Sequence, residues 1–167
     1  MKIISLILKV FQLNIAYAHC DIPCGIYDPY NAQMAAHTVI RMTNMLNELK
    51  PSKKEPDFEE RKRIISQIAR LTRVKEEHGE LIEEELGTLE NDYFKGEHYK
   101  KFPNLKGLIQ EAVKLSIKTR QTIDNQASDK MLKTVMQIAE IFYKTKDFTP
   151  VRISSGYPTG EEIVSHK

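Results

Sequence analysis

The sequence of 167 residues has no tryptophan and is poor in cysteine, glycine and proline. Two cysteines are too few for a disulfide framework or a four-thiolate zinc site. Seven glycines and seven prolines are few for a turn-rich β protein and favour helices. A net charge of +2, with no basic run among aromatic residues, argues against nucleic-acid binding. The length and the 41% apolar content fit one globular domain with a sizeable core.

Apolar residues recur at three- and four-residue steps through most of the chain, which predicts amphipathic helices. The first helix is expected to start at Asp28 and Pro29, as N-cap and first helical residue, and to end before Pro51. A second and longer helix, capped by Asp57, is expected to bury one apolar face along its whole length. The residues assigned to that face are Phe58, Ile64, Ile65, Ile68, Leu71, Val74, Leu81, Ile82, Leu86 and Leu89.

Two further helices complete the predicted domain. A third is expected over about 104–125, and a fourth after a cap at Ser128 or Asp129. Four amphipathic helices joined by short connections predict an all-α fold, an antiparallel four-helix bundle over residues 31–146. The periodicity is lost over residues 147–167, where prolines and glycines predict an irregular C-terminal tail.

Residues 1–18 are predicted to be a removable leader. The segment is apolar near its start and ends Ala-Tyr-Ala, a small-x-small pattern typical of a signal-peptidase site. It is too short to span a bilayer, so no stable membrane anchor is expected. Polar interruptions favour a cytoplasmic precursor cut by a dedicated peptidase, whereas the Ala-Tyr-Ala ending favours export to the periplasm or beyond. We expect a cytoplasmic protein, because cysteine thiols are kept reduced there.

Both cysteines lie in residues 19–30, where His19 directly precedes Cys20 and Cys24 follows four residues later. If the chain is cut after residue 18, the amine of His19 and the amide nitrogen and thiolate of Cys20 form two fused chelate rings on one metal. The thiolate of Cys24 then fills the fourth in-plane position. Such an N2S2 set suits the square-planar preference of Ni(II), and also of Cu(II). The imidazole of His19 can approach an axial position, so the segment is predicted to be a metal-binding hook.

Three alternatives stay open at this point. Structural zinc prefers four side-chain ligands, whereas His19, Cys20 and Cys24 give three, so His78 or His98 would have to supply the fourth. The two cysteines could instead form a disulfide across their short loop, with little stabilising effect. A non-catalytic nickel or copper carrier would use the same ligands as an enzyme. No His-Glu-x-x-His motif, Gly-rich phosphate loop or Ser/His/Asp arrangement selects another chemistry.

Residues 19–29, His-Cys-Asp-Ile-Pro-Cys-Gly-Ile-Tyr-Asp-Pro, resemble from end to end the nickel hook of the nickel-containing superoxide dismutases. Residues 75–77 (Lys-Glu-Glu), 92–95 (Asp-Tyr-Phe-Lys) and 138–142 (Ile-Ala-Glu-Ile-Phe) are also similar to that family. The resemblance spans about residues 19–146 and is specific mainly through the hook.

The resemblance implies an antioxidant enzyme that disproportionates superoxide to O2 and H2O2. One nickel ion per chain would alternate between Ni(II) and Ni(III). It also implies a four-helix bundle that is made with a propeptide, processed by a peptidase and assembled as a homohexamer. His19, Cys20 and Cys24 are then the metal ligands.

Further site residues follow from the same resemblance. Tyr27 is similar to the tyrosine that screens the open face of the metal, and Tyr93 to a second tyrosine nearby. Asp21 is similar to the acid that anchors the hook. Pro23 resembles a cis-proline that tightens the loop, and Gly25 is expected to have a structural role.

The sequence departs from the family at the positions that support the axial imidazole. Better-known members use a glutamate on the first helix and an arginine on the second. The corresponding residues here are Ala35 and His78. His78 is therefore a candidate to replace that support. Residues 50–70 and the tail after residue 146 also lie outside the part that resembles the family.

Overall fold

The protein is described by a computed structural model over residues 25–167. Within this range five α-helices are followed by two strands. The helices are α1 (Tyr30–Glu48), α2 (Phe58–Thr88), α3 (Gly96–Lys101), α4 (Leu105–Gln121) and α5 (Asn125–Thr145). A π-helical turn, Leu89–Tyr93, extends α2, and the strands are β1 (Pro150–Ser154) and β2 (Glu162–His166).

Aspartate side chains fix the starts of three helices. The Asp57 carboxylate accepts a hydrogen bond from the backbone N–H of Glu60 at 2.9 Å and caps α2, as predicted. The Asp28 carboxylate accepts from the N–H of Tyr30 at 2.8 Å, and α1 begins one residue later than expected. Helix α5 is capped by Asp124, so the predicted cap at residue 128 or 129 was wrong. Asp124 is the N-cap because its carboxylate accepts a hydrogen bond from the backbone N–H of Ala127 at 3.0 Å.

The four long helices pack in a ring, with α1 against α2, α2 against α4, α4 against α5 and α5 against α1. This arrangement confirms the predicted all-α architecture for the helical part of the chain. Helix α5 contributes most to the core because it is covered by α1, α4 and the two strands. The buried apolar side chains include Ala32, Val39, Ile82, Leu86, Ile109, Met131, Val135, Ile138 and Phe142. Within residues 25–167, no helix combines the length and apolar character needed to cross a membrane.

The first turns of α2 do not bury the apolar face predicted for them. Phe58 is 70% exposed, Ile65 66% and Ile68 42%. Helix α2 has 31 residues and α1 has 19, so the start of α2 extends past the end of its neighbour. Periodicity correctly predicted the helix there, but it could not indicate whether another helix of the same chain would cover that face.

The C-terminal residues form an antiparallel hairpin, so the prediction of an irregular tail was wrong. β1 pairs with β2 in a register that places Pro150 opposite His166. Gly156 and Gly160, which suggested irregularity, have φ of 68° and 74° in the connecting loop. This left-handed conformation favours glycine and turns the chain back. Ile163 and Val164 of β2 are buried, so the hairpin is part of the packed structure.

His37 of α1 gives the docking of this hairpin a pH dependence. Its ring lies 2.8 Å from the Thr159 hydroxyl and 3.1 Å from the Glu162 carbonyl oxygen. Burial lowers the pKa of His37, although the contact with Glu162 and the charge of Glu161 oppose this shift. The unfolded chain therefore binds more protons than the folded one. The free energy of unfolding should be greatest above about pH 6.5 and fall as the pH drops through the lowered folded pKa.

This effect can be measured by urea unfolding at pH 7.5 and pH 5.5. The wild-type protein should be less stable at pH 5.5. His37→Gln, whose side-chain amide can still donate to the Glu162 carbonyl but does not titrate, should lose part of that difference. An equal pH dependence in the two proteins would assign the effect to other groups.

Candidate metal centre

Two of the tyrosines singled out in the sequence lie together. The ring centroids of Tyr27 and Tyr93 are 5.5 Å apart, with the ring planes at 51°. Tyr27 lies in the last part of the predicted hook, just before α1, and Tyr93 ends the π-helical turn after α2. The fold thus brings together two residues that are separated in the sequence by the whole of α1 and α2, and one of them, Tyr27, is three residues after Cys24.

Aromatic neighbours and one hydroxyl hold Tyr93 in position. Its ring stacks on His98 with centroids 5.5 Å apart and lies 4.6 Å from the ring of Phe142. Its hydroxyl is 2.7 Å from the hydroxyl oxygen of Thr145. The Thr145 hydroxyl donates to the Phe142 carbonyl oxygen at 2.6 Å, so its single proton is already used in that hydrogen bond. Tyr93 must therefore donate its phenolic proton to Thr145, which fixes the direction of this hydrogen bond.

Lys146 places a positive charge beside the tyrosine pair. Its ammonium nitrogen donates to the Tyr27 carbonyl oxygen at 3.3 Å. The same nitrogen lies 5.7 Å from the centroid of Tyr93 and 4.7 Å from that of Phe142, within cation–π range. The sequence analysis did not select Lys146. Its one sequence signal is the four-residue step from Phe142, which places both side chains on one face of the helix end.

The segment that carries Tyr27 is tied to α5 through Asp28. The Tyr143 hydroxyl donates to both carboxylate oxygens of Asp28, at 3.2 and 3.3 Å. Tyr143 is 4% exposed, and burial, together with the nearby Asp28 carboxylate, raises its pKa well above the ordinary value. Tyr143 thus stays a protonated donor at all physiological pH values.

A cleft of about 860 Å³ opens beside this contact. Its lining contains four carboxylates, those of Asp28, Glu84, Glu85 and Asp92, and Lys146 does not line it. A cleft with this lining repels small anions. Tyr27 also lines this cleft, and the ammonium group of Lys146 supplies the positive charge that contacts the tyrosine pair.

His78 lies away from the tyrosine pair. His78 follows the middle of α2, roughly 20 Å along the helix from Tyr93. Its Nδ1 lies 2.9 Å from the Val74 carbonyl oxygen, so Nδ1 carries a proton and donates it within α2. Ala35 is buried in the core. Support of the His19 imidazole by His78 stays a prediction.

The remaining predicted site residues, His19, Cys20, Asp21, Pro23 and Cys24, lie outside the described residues. Gly25, the first described residue, has φ of 87°. That conformation favours glycine whatever the surrounding space, so the chain makes a turn here that other residues resist.

The donors for a metal can be tested against the described part of the chain. Residues 25–167 contain no group of three or more His, Cys, Asp or Glu side chains that could hold a metal ion. A metal bound next to Tyr27 would take its ligands from the segment before Gly25, which holds both cysteines and His19. Thiolate and nitrogen donors suit Ni(II) and Cu(II), so the residues present fit nickel. The helical fold and this donor set fit a helical metalloprotein.

Comparisons with known proteins identify the family. The family profile of nickel-containing superoxide dismutase matches residues 14–146, a range that includes His19, Cys20 and Cys24. Nickel superoxide dismutases of Streptomyces seoulensis and Streptomyces coelicolor are 34% and 33% identical to this chain over 129 residues, which is 77% of this chain and 88% of theirs. The chain belongs to the nickel-containing superoxide dismutase family.

Solved structures support the same family assignment. A crystal structure of a nickel-containing superoxide dismutase in the oxidised state superposes with a TM-score of 0.64 at 32% identity, covering 77% of this chain and 99% of that one. A native structure at 1.30 Å gives a TM-score of 0.62 at 30% identity, with the same coverage. The sequence-based assignment is confirmed, and with it the oxidoreductase class and the nickel cofactor. The matched range of the family profile ends at Lys146, before the C-terminal hairpin.

Proposed function

We propose that this chain disproportionates superoxide at a nickel ion held by His19, Cys20 and Cys24, after removal of residues 1–18. The observation that carries the proposal is the group in which Tyr27 contacts Tyr93 and Lys146. Tyr27 is three residues after the second cysteine. It provides an aromatic wall and a positive charge at the base of the loop that holds the ligands.

The reaction converts two superoxide anions and two protons into O2 and H2O2. When bound, nickel supplies one-electron redox chemistry between Ni(II) and Ni(III). Tyr27 is the described polar side chain nearest in sequence to the ligands, and it screens the site from bulk water. Tyr93 supports the Tyr27 ring, and its own proton is directed to Thr145. Lys146 attracts the anionic substrate and holds the Tyr27 backbone. Asp21 is assigned to anchoring the loop and Pro23 to its turn.

The test of this proposal is the N-terminus of the native protein. Protein purified without a tag should begin at His19 by N-terminal sequencing and intact mass, and should carry about one nickel ion per chain. It should consume superoxide in pulse radiolysis and show an EPR signal of oxidised nickel. A nickel-loaded chain that begins at His19 but lacks both properties would favour a metal carrier and contradict the proposal.

Lys146 offers a quantitative test of substrate attraction. Lys146→Met should lower the second-order rate constant for superoxide roughly tenfold at low salt and flatten its dependence on ionic strength. Lys146→Arg, which keeps the charge, should retain most of the rate. Lys144→Met removes the same charge from an exposed position two residues away and serves as the control. Equal losses in Lys146→Met and Lys144→Met would show that the effect comes from net charge alone.

We also propose that the protein assembles as a homohexamer. Exposed apolar residues at the start of α2, among them Phe58 and Ile65, support burial between subunits. A groove of about 510 Å³ between α1 and α2, lined in part by Met42, Met45 and Leu71, adjoins this region. Native mass spectrometry tests the assembly, since a monomer at micromolar concentration would exclude it.

The cytoplasm is the proposed compartment, with the leader removed there by a dedicated peptidase. The polar residues that interrupt the apolar stretch of residues 1–18 support this proposal. A fusion of the leader to a reporter enzyme tests it, because export of the reporter would place the mature protein outside the cytoplasm.

A further inference from the structure

The C-terminal hairpin lies beyond the residues shared with the family, yet it is docked firmly onto α1. The side-chain amide of Gln33, which is fully buried, donates to the Val164 carbonyl oxygen at 3.1 Å and accepts from the Val164 N–H at 2.7 Å. These two hydrogen bonds continue the β2 backbone pairing onto the helix. His37 adds contacts to Thr159 and Glu162 one turn further along.

The hairpin also packs against α5 through its last strand. The His166 ring lies between two aromatic rings, with centroids 4.6 Å from Tyr143 and 4.5 Å from Phe148. Arg152 of β1 pairs with Glu140 of α5 at 2.8 Å. The hairpin therefore covers the side of α5 that carries Tyr143.

Tyr143 connects the hairpin to the metal loop. Its hydroxyl donates to both oxygens of Asp28, and Asp28 is four residues after Cys24. The Asp28 carboxylate also accepts from the Tyr30 N–H, so it joins the start of α1 to α5. His166 and Asp28 line the same cleft.

We propose that the C-terminal hairpin is a positioning element for the metal loop, with His166 holding Tyr143 and Tyr143 holding Asp28 at the root of the loop. The inference rests on the proposed function, because it assumes that residues 19–24 hold the nickel. Tyr143 and His166 are positioning residues, since the proposal gives neither of them a contact with the metal or the substrate.

The physical basis is the length of chain left free if these contacts are lost. With Asp28 fixed, only three residues separate Cys24 from a residue that is tied to α5. Without the Tyr143 hydrogen bonds Asp28 is no longer tied to α5, and only the contacts of Tyr27 with Tyr93 and Lys146 join the root of the loop to the helices. The loop then gains conformational freedom that metal binding must remove. The expected consequences are faster nickel release and faster amide exchange at the loop root.

The first experiment compares two variants that each lose one hydroxyl. Tyr143→Phe keeps the ring packed and removes the bonds to Asp28. Tyr157→Phe, the matched control, removes a hydroxyl that contacts Tyr30 at 3.0 Å and not Asp28. Nickel release to excess chelator should be roughly tenfold faster in Tyr143→Phe, the effect of one lost charge-assisted hydrogen bond, and unchanged in Tyr157→Phe.

The second experiment tests whether the hairpin acts through its aromatic contact. His166→Ala should release nickel faster, as Tyr143→Phe does, whereas His166→Phe keeps an aromatic ring on Tyr143 and should restore the wild-type rate. Hydrogen exchange of residues 26–30 in the metal-free protein gives a readout that requires neither nickel nor activity. Exchange there should be faster in Tyr143→Phe and His166→Ala, while the thermal unfolding midpoint changes by a similar amount in Tyr143→Phe and Tyr157→Phe.

The outcomes separate this inference from the proposed function. If wild-type protein binds nickel and consumes superoxide, but the variants match it in nickel release and in exchange of residues 26–30, only the proposed role of the hairpin is overturned. Wild-type protein without nickel overturns the proposed function, and the exchange measurement on metal-free protein still decides whether the hairpin fixes the loop root. If exchange is faster in Tyr143→Phe but unchanged in His166→Ala, Tyr143 positions the loop without help from the hairpin. That result would also overturn the proposed role of the hairpin.

Discussion

Cys20→Ser should abolish both nickel binding and superoxide consumption. The nickel content is expected to fall from about one ion per chain to nearly none, because the variant would lose one of the two thiolates proposed to hold the metal. Inductively coupled plasma mass spectrometry of the purified protein measures the metal. Pulse radiolysis should show superoxide decaying at its uncatalysed rate.

The control for this experiment is that the Cys20→Ser variant keeps the wild-type helical fold. The buried residues of the helices lie between Ala32 and Tyr143, so the variant should keep the circular dichroism spectrum and thermal unfolding of metal-free wild-type protein. A Cys20→Ser protein that still holds stoichiometric nickel would place the ligands elsewhere. Because no group of described side chains can replace them, such a result would contradict the assignment of the site.

Among the substitutions proposed for this protein, Lys75→Met should lower the free energy of unfolding the most. Lys75 is 2% exposed, and its ammonium group donates to the carbonyl oxygens of Thr119, Arg120 and Thr122 at the end of α4. It thus satisfies acceptors that the last turn of a helix leaves without partners and places a positive charge at the negative end of the helix dipole. Methionine fills similar space but donates no hydrogen bond.

We expect Lys75→Met to lower the free energy of unfolding by about 3 kcal/mol, the range for buried polar groups that lose their partner. Urea unfolding followed by circular dichroism measures this change. Lys114→Met, at an exposed position on α4, the helix whose end Lys75 contacts, should stay within about 0.5 kcal/mol of wild type. Similar values for the two variants would show that the Lys75 contacts add nothing to stability.

The sequence predicted the helices well because their signals are local. A cap such as Asp57 and a stripe of apolar residues at three- and four-residue steps act within one helix, so they need no knowledge of the fold. The predicted burial of Phe58 and Ile65 failed for the same reason, since burial depends on whether a neighbouring helix reaches that far. Local patterns thus predict elements better than they predict their environment.

The site was predictable in part, and only through resemblance to a family. Tyr27 and Tyr93 were selected in this way, and their rings prove to be neighbours. The hydrogen bond between Asp28 and Tyr143 joins residues 115 positions apart and leaves no local pattern in the sequence. Lys146 was missed because a lysine at a helix end has an ordinary local explanation, as an exposed charge near the helix dipole.

The hairpin was missed because its signals conflict. Gly156, Pro158 and Gly160 favour turns, Pro150 is itself the first residue of β1, and each strand has only five residues. Two isolated strands of this length are marginally stable on their own. They form here because Gln33 and His37 on α1 supply partners for β2, which no pattern within residues 147–167 can indicate.

The backbone pairing at the end of β2 bears on how the protein should be purified. The N–H and carbonyl of Lys167 both bond Thr149, so a peptide fused after Lys167 would emerge beside His166 and Tyr143. A polyhistidine tag there would bring strong nickel ligands next to the loop that is proposed to load the metal. A tag before His19 would remove the free amine. Nickel stoichiometry and loading rates are therefore best measured on untagged protein, or with a tag in the exposed 50–57 connection between α1 and α2.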